Sequence, residues 1–261
     1  MTEELDALQK EYWRNRATSI NDFELKSIAD PTQRIGEMEF ILKHIPRGLR
    51  ILEIGCGSGY MTSKLAEIAS ELTCIDIQEE MINASKLMVP KNLHTKVKWF
   101  CEGLHNFKNA RKFDVIVCSR VFINFPSRHL QITGLDSVRS NLKDGGMLFF
   151  LEGEESAFIH LNISREKLGL TQIKKSPINL YLDKVFFNEL GKRGFKLQEK
   201  FDNGLYDAIT RVLVPALDSL EDLKSKQRQS YEWIQSIDWK DLSKYSRVTG
   251  GLYKLINTTN N

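Results

Sequence analysis

Apolar and polar positions change their period along the chain, and the changes divide it into elements. Near the amino terminus Leu5, Leu8, Tyr12 and Trp13 recur at helical spacing, as do Ile35, Met38, Ile41 and Leu42, which predicts two helices over residues 1–48. Asp30-Pro31 marks the start of the second, because a proline in the first turn gives up an N–H that has no intrahelical partner anyway. From Arg50 onward short apolar runs alternate with longer helical ones. Strands are predicted over Ile51–Ile54, Leu72–Ile77, Val97–Cys101, Phe113–Cys118 and Met147–Leu151, and helices over Met61–Ala69, Glu79–Leu87 and His129–Leu142. Farther on, Asp183–Leu190 reads as a helix closed by Gly191, and Phe195–Glu199 and Ala208–Val214 read as strands, the second ended by Pro215. Ser219–Trp239 reads as a charged helix with one face packed on the body.

Strands that alternate with helices predict βαβ units, a parallel sheet and right-handed crossovers. Ligands on such sheets bind at the carboxyl ends of the strands. The segment Glu53-Ile54-Gly55-Cys56-Gly57-Ser58-Gly59 falls there, between a buried strand and a helix. Its glycines let the backbone turn tightly and approach a ligand, and the helix that follows offers unpaired N–H groups. A dinucleotide fingerprint would need glycine where Tyr60 stands, and a phosphate loop would need a lysine that Ser58-Gly59-Tyr60 does not supply.

With an acidic residue two positions before G-x-G-x-G, the chain resembles the class I S-adenosylmethionine-dependent methyltransferases over about residues 35–153, and more loosely as far as Pro215. The resemblance implies a Rossmann-like α/β fold: a mainly parallel, seven-stranded twisted sheet with helices on both faces, N-terminal helices and a substrate cap at about 154–182. On this view residues 1–215 form the methyltransferase domain and 216–261 a helical extension packed on it. The resemblance also implies S-adenosylmethionine as cofactor and S-adenosylhomocysteine as product. Glu53 would then lie near the cofactor's amino group, while Gly55, Cys56, Gly57 and Gly59 make room for methionine and ribose. This cofactor carries an ammonium and a sulfonium but no phosphate, so a carboxylate beside the loop is favourable. Asp76, some 21 positions after Gly55, would accept hydrogen bonds from the ribose hydroxyls. Ile77 and Met81 would flank the adenine, and Glu102, Gly103 and Leu104 would meet its edge. Glu102 stands where the family usually has aspartate, so main-chain contacts from Gly103 and Leu104 are the stronger expectation. Ser119 and Arg120 would pass the methionine end, and Tyr12 or Trp13 could fold over the pocket.

The end of the fourth strand narrows the reaction. Ser119-Arg120-Val121-Phe122 is not the Asn/Asp-Pro-Pro-aromatic segment of enzymes that methylate nucleic-acid bases, nor does it carry the metal-binding aspartate of the catechol type or the glutamate loop of protein arginine enzymes. Candidate catalytic groups are His129 at the start of a helix, Glu152 at the end of the fifth strand, and Tyr181 in the cap. His44, His94 and His105 have no metal-ligand spacing and read as structural or surface residues, so no metal is expected.

Composition changes this picture little. The 261 residues carry 37 Lys plus Arg against 34 Asp plus Glu, a formal charge of +3, which argues against DNA as an obligate partner. No apolar run reaches the ~18 residues of a membrane span, and Cys56, Cys74, Cys101 and Cys118 read as reduced thiols, so a cytoplasmic location is expected. The leading expectation is methyl transfer to an O or N nucleophile of a small polar metabolite, sugar-, amine- or natural-product-like, by a monomer or homodimer. The alternatives are an RNA or protein methyltransferase, or a non-catalytic cofactor-binding partner subunit.

Overall fold

A computed structural model describes residues 2–19, 30–218 and 220–256. Two helices, α1 (Thr2–Ser19) and α2 (Pro31–His44), precede the sheet. Asp30 caps α2 by accepting from the Gln33 N–H at 3.0 Å, and Pro31 occupies the first turn as expected. The alternating region then gives β1 (Arg50–Ile54), α3 (Tyr60–Ile68), β2 (Glu71–Asp76), α4 (Glu79–Met88), β3 (Val97–Cys101), β4 (Phe113–Ser119), α5 (Arg128–Asn141) and β5 (Leu142–Gly153). The fifth strand starts before the expected Met147, and the Asp144-Gly145-Gly146 stretch is absorbed into β5 as an irregularity in its pairing with β4.

After β5 come α6 (Ser156–Lys167), α7 (Lys184–Lys192), β6 (Phe195–Asp202) and α8 (Gly204–Ala208). A π-helical turn over Ile209–Leu213 leads into α9 (Val214–Asp218), followed by α10 (Leu223–Ser236) and β7 (Val248–Leu255). The seven strands lie in the order β3-β2-β1-β4-β5-β7-β6, with β7 antiparallel to both neighbours and the pairs from β3 to β5 parallel. This is the mainly parallel seven-stranded sheet that the resemblance implies.

Two expectations are corrected. Ala208–Val214 is not a strand, although Ile209, Thr210, Val212 and Val214 favour one. Its buried positions, Ala208 and Val212, continue with Ala216 at helical spacing, and the first two pack with Leu161, Trp233, Ile237 and Tyr245. Packing overrides propensity here. The last strand instead comes from within residues 216–261, which are therefore not a helical extension alone. Gly250 and Gly251 hide it from periodicity. A Cβ on Gly250 would lie 1.9 Å from the Phe150 carbonyl, and one on Gly251 would lie 2.1 Å from that of Glu199, so the close approach of three strands requires them.

Each sheet face carries its own core, because neighbouring strand residues point to opposite sides. Phe150 joins Phe122 and Phe186 on one face, with ring centroids 4.9 and 6.0 Å away, while the adjacent Phe149 packs with Ile41, Leu65 and Leu72 on the other. No helix among the described residues is long and apolar enough to cross a membrane.

Candidate active site

A cavity of about 640 Å³ opens over the carboxyl ends of β1, β2, β4 and β5. Its floor is built by the turns that leave those strands. After β1, Gly55 has φ +68°, and a Cβ there would lie 2.5 Å from Val121 Cγ2, so only glycine lets the two turns approach so closely. After β2, Asp76 is held from both sides: the Gly57 N–H donates to Oδ2 at 2.9 Å and the Gln78 N–H to Oδ1 at 3.0 Å. Burial raises the Asp76 pKa against these hydrogen bonds. Its outer lone pairs remain for a ligand that donates hydroxyls.

Ile77, Met81, Glu102, Gly103 and Leu104 line the same side of the cavity. Gly103 leaves a slot beside Ile77, where a Cβ would sit 3.5 Å from Cγ2. Over β4, Ser119 donates to Glu37 Oε2 at 2.9 Å and accepts from Arg34 Nη1 at 2.6 Å, while Arg120, with a left-handed φ of 59°, pairs with the other oxygen of Glu37. Burial works against the charge of Glu37, yet Arg120 and Arg34 hold its carboxyl below the usual range.

The roof comes from α1 and the cap. Tyr12 and Trp13 line the cavity as an edge-to-face pair 5.1 Å apart, and Gln9 of α1 donates to the Ile178 carbonyl of the cap at 2.7 Å. The cap is tied down in turn: Asn162 of α6 exchanges hydrogen bonds with the Ile173 backbone, and Gln131 donates to the carbonyls of Phe122 and Leu180, each at 2.8 Å.

Most of the residues anticipated at the site meet here: Trp13, Gly55, Cys56, Gly57, Asp76, Ile77, Met81, Glu102, Gly103, Leu104, Ser119, Arg120 and Tyr181 all line the cavity. Four anticipated residues do not. Glu53 points into the opposite face, fully buried, and accepts from Thr62 Oγ1 at 2.7 Å; burial pushes its carboxyl up to about 7. Gly59 stands away from the cavity, where a Cβ would lie 2.6 Å from Ser85 Cα, so it serves the contact of α3 with α4. His129 is exposed at the start of α5 and does not line the cavity. Glu152 is wholly buried and accepts from the N–H groups of Val121, Phe122 and Ile123 at 2.8, 2.9 and 3.3 Å. That makes Glu152 the brace of the β4 turn rather than a group able to reach an acceptor.

The histidine that does line the cavity is His105, whose Nε2 lies 3.0 Å from the Leu130 carbonyl and 3.2 Å from Thr133 Oγ1. It follows β3, beside Gly103 and Leu104. Also missed by sequence reasoning are Asp30, Gln33 and Arg34 at the start of α2, with Arg211 and Arg247. Asp30 accepts from Tyr206 Oη at 3.0 Å and pairs with Arg211; Asp207 accepts from the Arg247 Nε and N–H at 2.8 and 2.9 Å. Burial opposes the charge of Asp30, but the Gln33 N–H, the Tyr206 hydroxyl and the two arginines hold its pKa below the usual value. The only local signal was a capping aspartate before proline; the partners lie up to 214 positions away. Among the described residues no cluster of His, Cys, Asp or Glu could hold a metal.

Comparison with known proteins agrees with the fold. Residues 52–148 match the family model described as a methyltransferase domain. The chain is 30% identical over 128 residues to malonyl-[acyl-carrier protein] O-methyltransferase of Priestia megaterium, covering 47% of this chain and 44% of that one. The chain spans about half the length of the curated relatives it matches. In three dimensions it is similar to N-methyltransferase NodS from Bradyrhizobium japonicum in complex with S-adenosyl-L-homocysteine: TM-score 0.56, 18% identity, 74% of this chain and 89% of that one. It is likewise similar to phosphoethanolamine N-methyltransferase 1 of Haemonchus contortus in complex with phosphoethanolamine and S-adenosylhomocysteine: TM-score 0.65, 13% identity, all of this chain and 51% of that one. At these identities the structural likeness is one of fold.

Proposed function

We propose, on the premise that the chain belongs to the class I S-adenosylmethionine-dependent methyltransferases, that it transfers a methyl group to an O or N nucleophile of a small polar metabolite. One observation carries the reading: one cavity joins the Asp76 carboxylate and the Gly55–Gly57 turn to a second half beneath the cap, where Arg211 and Arg247 line it. Its volume of about 640 Å³ falls in the ~300–1,000 Å³ range of small-molecule sites.

The residues present suit the cofactor. The Gly55–Gly57 turn lines the cavity, and the Asp76 carboxylate, oriented by two backbone N–H groups, suits a pair of ribose hydroxyls. Ile77, Met81, Gly103 and Leu104 would sandwich the adenine, and Ser119 with Arg34 would meet the methionine end. When bound, S-adenosylmethionine supplies a methyl carbon already activated by its sulfonium.

The chain's own contribution is therefore chiefly positioning. Glu152 holds the turn after β4 rigid through three N–H groups, α1 and the cap exclude water, and Tyr181 faces the space left for the acceptor. Burial raises the Tyr181 phenol above its ordinary pKa, so near neutrality it is a hydrogen-bond donor that orients the acceptor. His129 and Glu152 are given no part in the reaction.

Calorimetric titration with S-adenosylhomocysteine, beside a nicotinamide dinucleotide, tests this reading. Micromolar binding of the first alone is expected, followed by labelled methyl transfer to small polar acceptors. Absence of binding by folded protein would overturn it.

A further inference from the structure

The half of the cavity over β5 and β7 is built differently from the half over β1 and β2. Four strand steps, about 19 Å at ~4.8 Å each, separate the carboxyl end of β2, where Asp76 stands, from the start of β7. Among the described residues, Arg211 and Arg247 are set there against Asp30 and Asp207, while Arg34 and Arg120 share the single carboxylate of Glu37 at the β4 boundary. Donors also exceed acceptors: Gln33 Nε2, Arg120 Nε and Arg211 Nε are buried there with no hydrogen-bond partner among the described residues. Lys174 lines the mouth and forms no ion pair among the described residues. An excess of donors at a half-buried site favours a ligand that accepts from them.

The backbone around these arginines points the same way. Arg211 sits in the π-helical turn, a local widening that recurs at functional sites, and its own carbonyl accepts from Arg165. Arg247 is fixed by Asp207 at two points and donates to Gln33 Oε1 at 3.2 Å. Their carboxylate partners bind from the side of α2 and α8, while both arginines also line the cavity.

We infer that this half receives an anionic group, a phosphate or a carboxylate, carried by the methyl acceptor and bound by Arg211, Arg247 and the Tyr181 hydroxyl, with Lys174 at the mouth. The inference rests on the methyltransferase reading for the identity of the neighbouring half. The acceptor is then a small molecule with its nucleophile near β4 and its anion over β5 and β7.

The test uses the full chain, first saturated with S-adenosylhomocysteine, and titrates inorganic phosphate, acetate and, as a neutral control, glycerol by calorimetry. Phosphate or acetate is expected to bind in the millimolar range while glycerol does not, and the preference between them identifies the group. Arg211→Gln and Arg247→Gln are each expected to weaken the anion at least about tenfold while S-adenosylhomocysteine affinity stays within about twofold, which also certifies that the variants are folded. Three results would overturn the inference: neither anion binding better than glycerol, the variants binding the anion as well as the parent, or anions that bind the free protein and are displaced by S-adenosylhomocysteine. The last would assign the arginines to the cofactor's own carboxylate. Failure of S-adenosylhomocysteine to bind the parent chain, with the anion still bound by Arg211 and Arg247, would sink the cofactor reading and not the anion site.

Discussion

At the scale of single residues, the positions that matter are charged groups held by backbone. Asp76 was legible because it ends a strand at a set distance from a glycine turn, and the structure adds the two N–H groups that aim it. Asp76→Ala is expected to weaken S-adenosylhomocysteine binding by about 2 kcal/mol, roughly thirtyfold, in calorimetry; unchanged affinity would remove the ribose role. Glu53 and Glu152 were equally conspicuous in the sequence, but both lie away from the cavity, because each carboxylate meets the donors of its own buried neighbourhood first. Burial lifts each from 4.5 to about 7. The folded chain then keeps two protons that the unfolded chain gives up, so their stabilising contribution is complete below pH 4.5 and is lost as the pH rises through 7. Each is worth on the order of 3 kcal/mol. Glu152→Gln keeps an oxygen for the Val121 and Phe122 N–H groups, gives up the longer bond from Ile123, and removes the charge. Thermal melts should show it gaining on the parent protein between pH 5 and pH 8, and parallel curves would contradict the shift.

Elements repeat the lesson with backbone in place of charge. The helices and strands from β1 to β5 follow from local period alone, because both faces of a parallel sheet are covered and its strands read as apolar runs. The glycine turn shows two distinct uses of one residue type. Gly55 admits the turn after β4, whereas Gly59 admits α4. Gly59→Ala, with φ at +91° and backbone at 2.6 Å from the new Cβ, is expected to cost about 1–3 kcal/mol. Denaturant unfolding should register it as a lower midpoint with unchanged slope; an unaffected midpoint would mean that α3 and α4 yield easily. The segment Ile209–Leu213 misled because its β-branched residues favour a strand, while the apolar surfaces of α6 and α10 take it as a helix.

For the whole molecule the decisive feature is where β7 comes from. It pairs with β5 over Met147–Gly153 and with β6 over Phe195–Asp202, so a chain ending at Asp218 would leave two strands facing a gap. Such a truncation is expected to lose cooperative unfolding by circular dichroism; a sharp transition would show that the sheet closes without it. Removal of α1 takes away the roof and its contact with α4 but no strand. It should preserve the transition and weaken S-adenosylhomocysteine binding, since Trp13 and Gln9 lie there. The sequence by itself determined the α/β class, the glycine turn, Asp76 and the adenine side, because each depends on residues within a few positions or on a strand and the turn that leaves it. Tertiary structure alone decided the seventh strand, the removal of Glu53, His129 and Glu152 from the cavity, and the arginine-rich half. Those depend on pairs such as Arg211 with Asp30 and Arg247 with Gln33, 181 and 214 positions apart. No local period can encode contacts that the chain makes only after the sheet has closed.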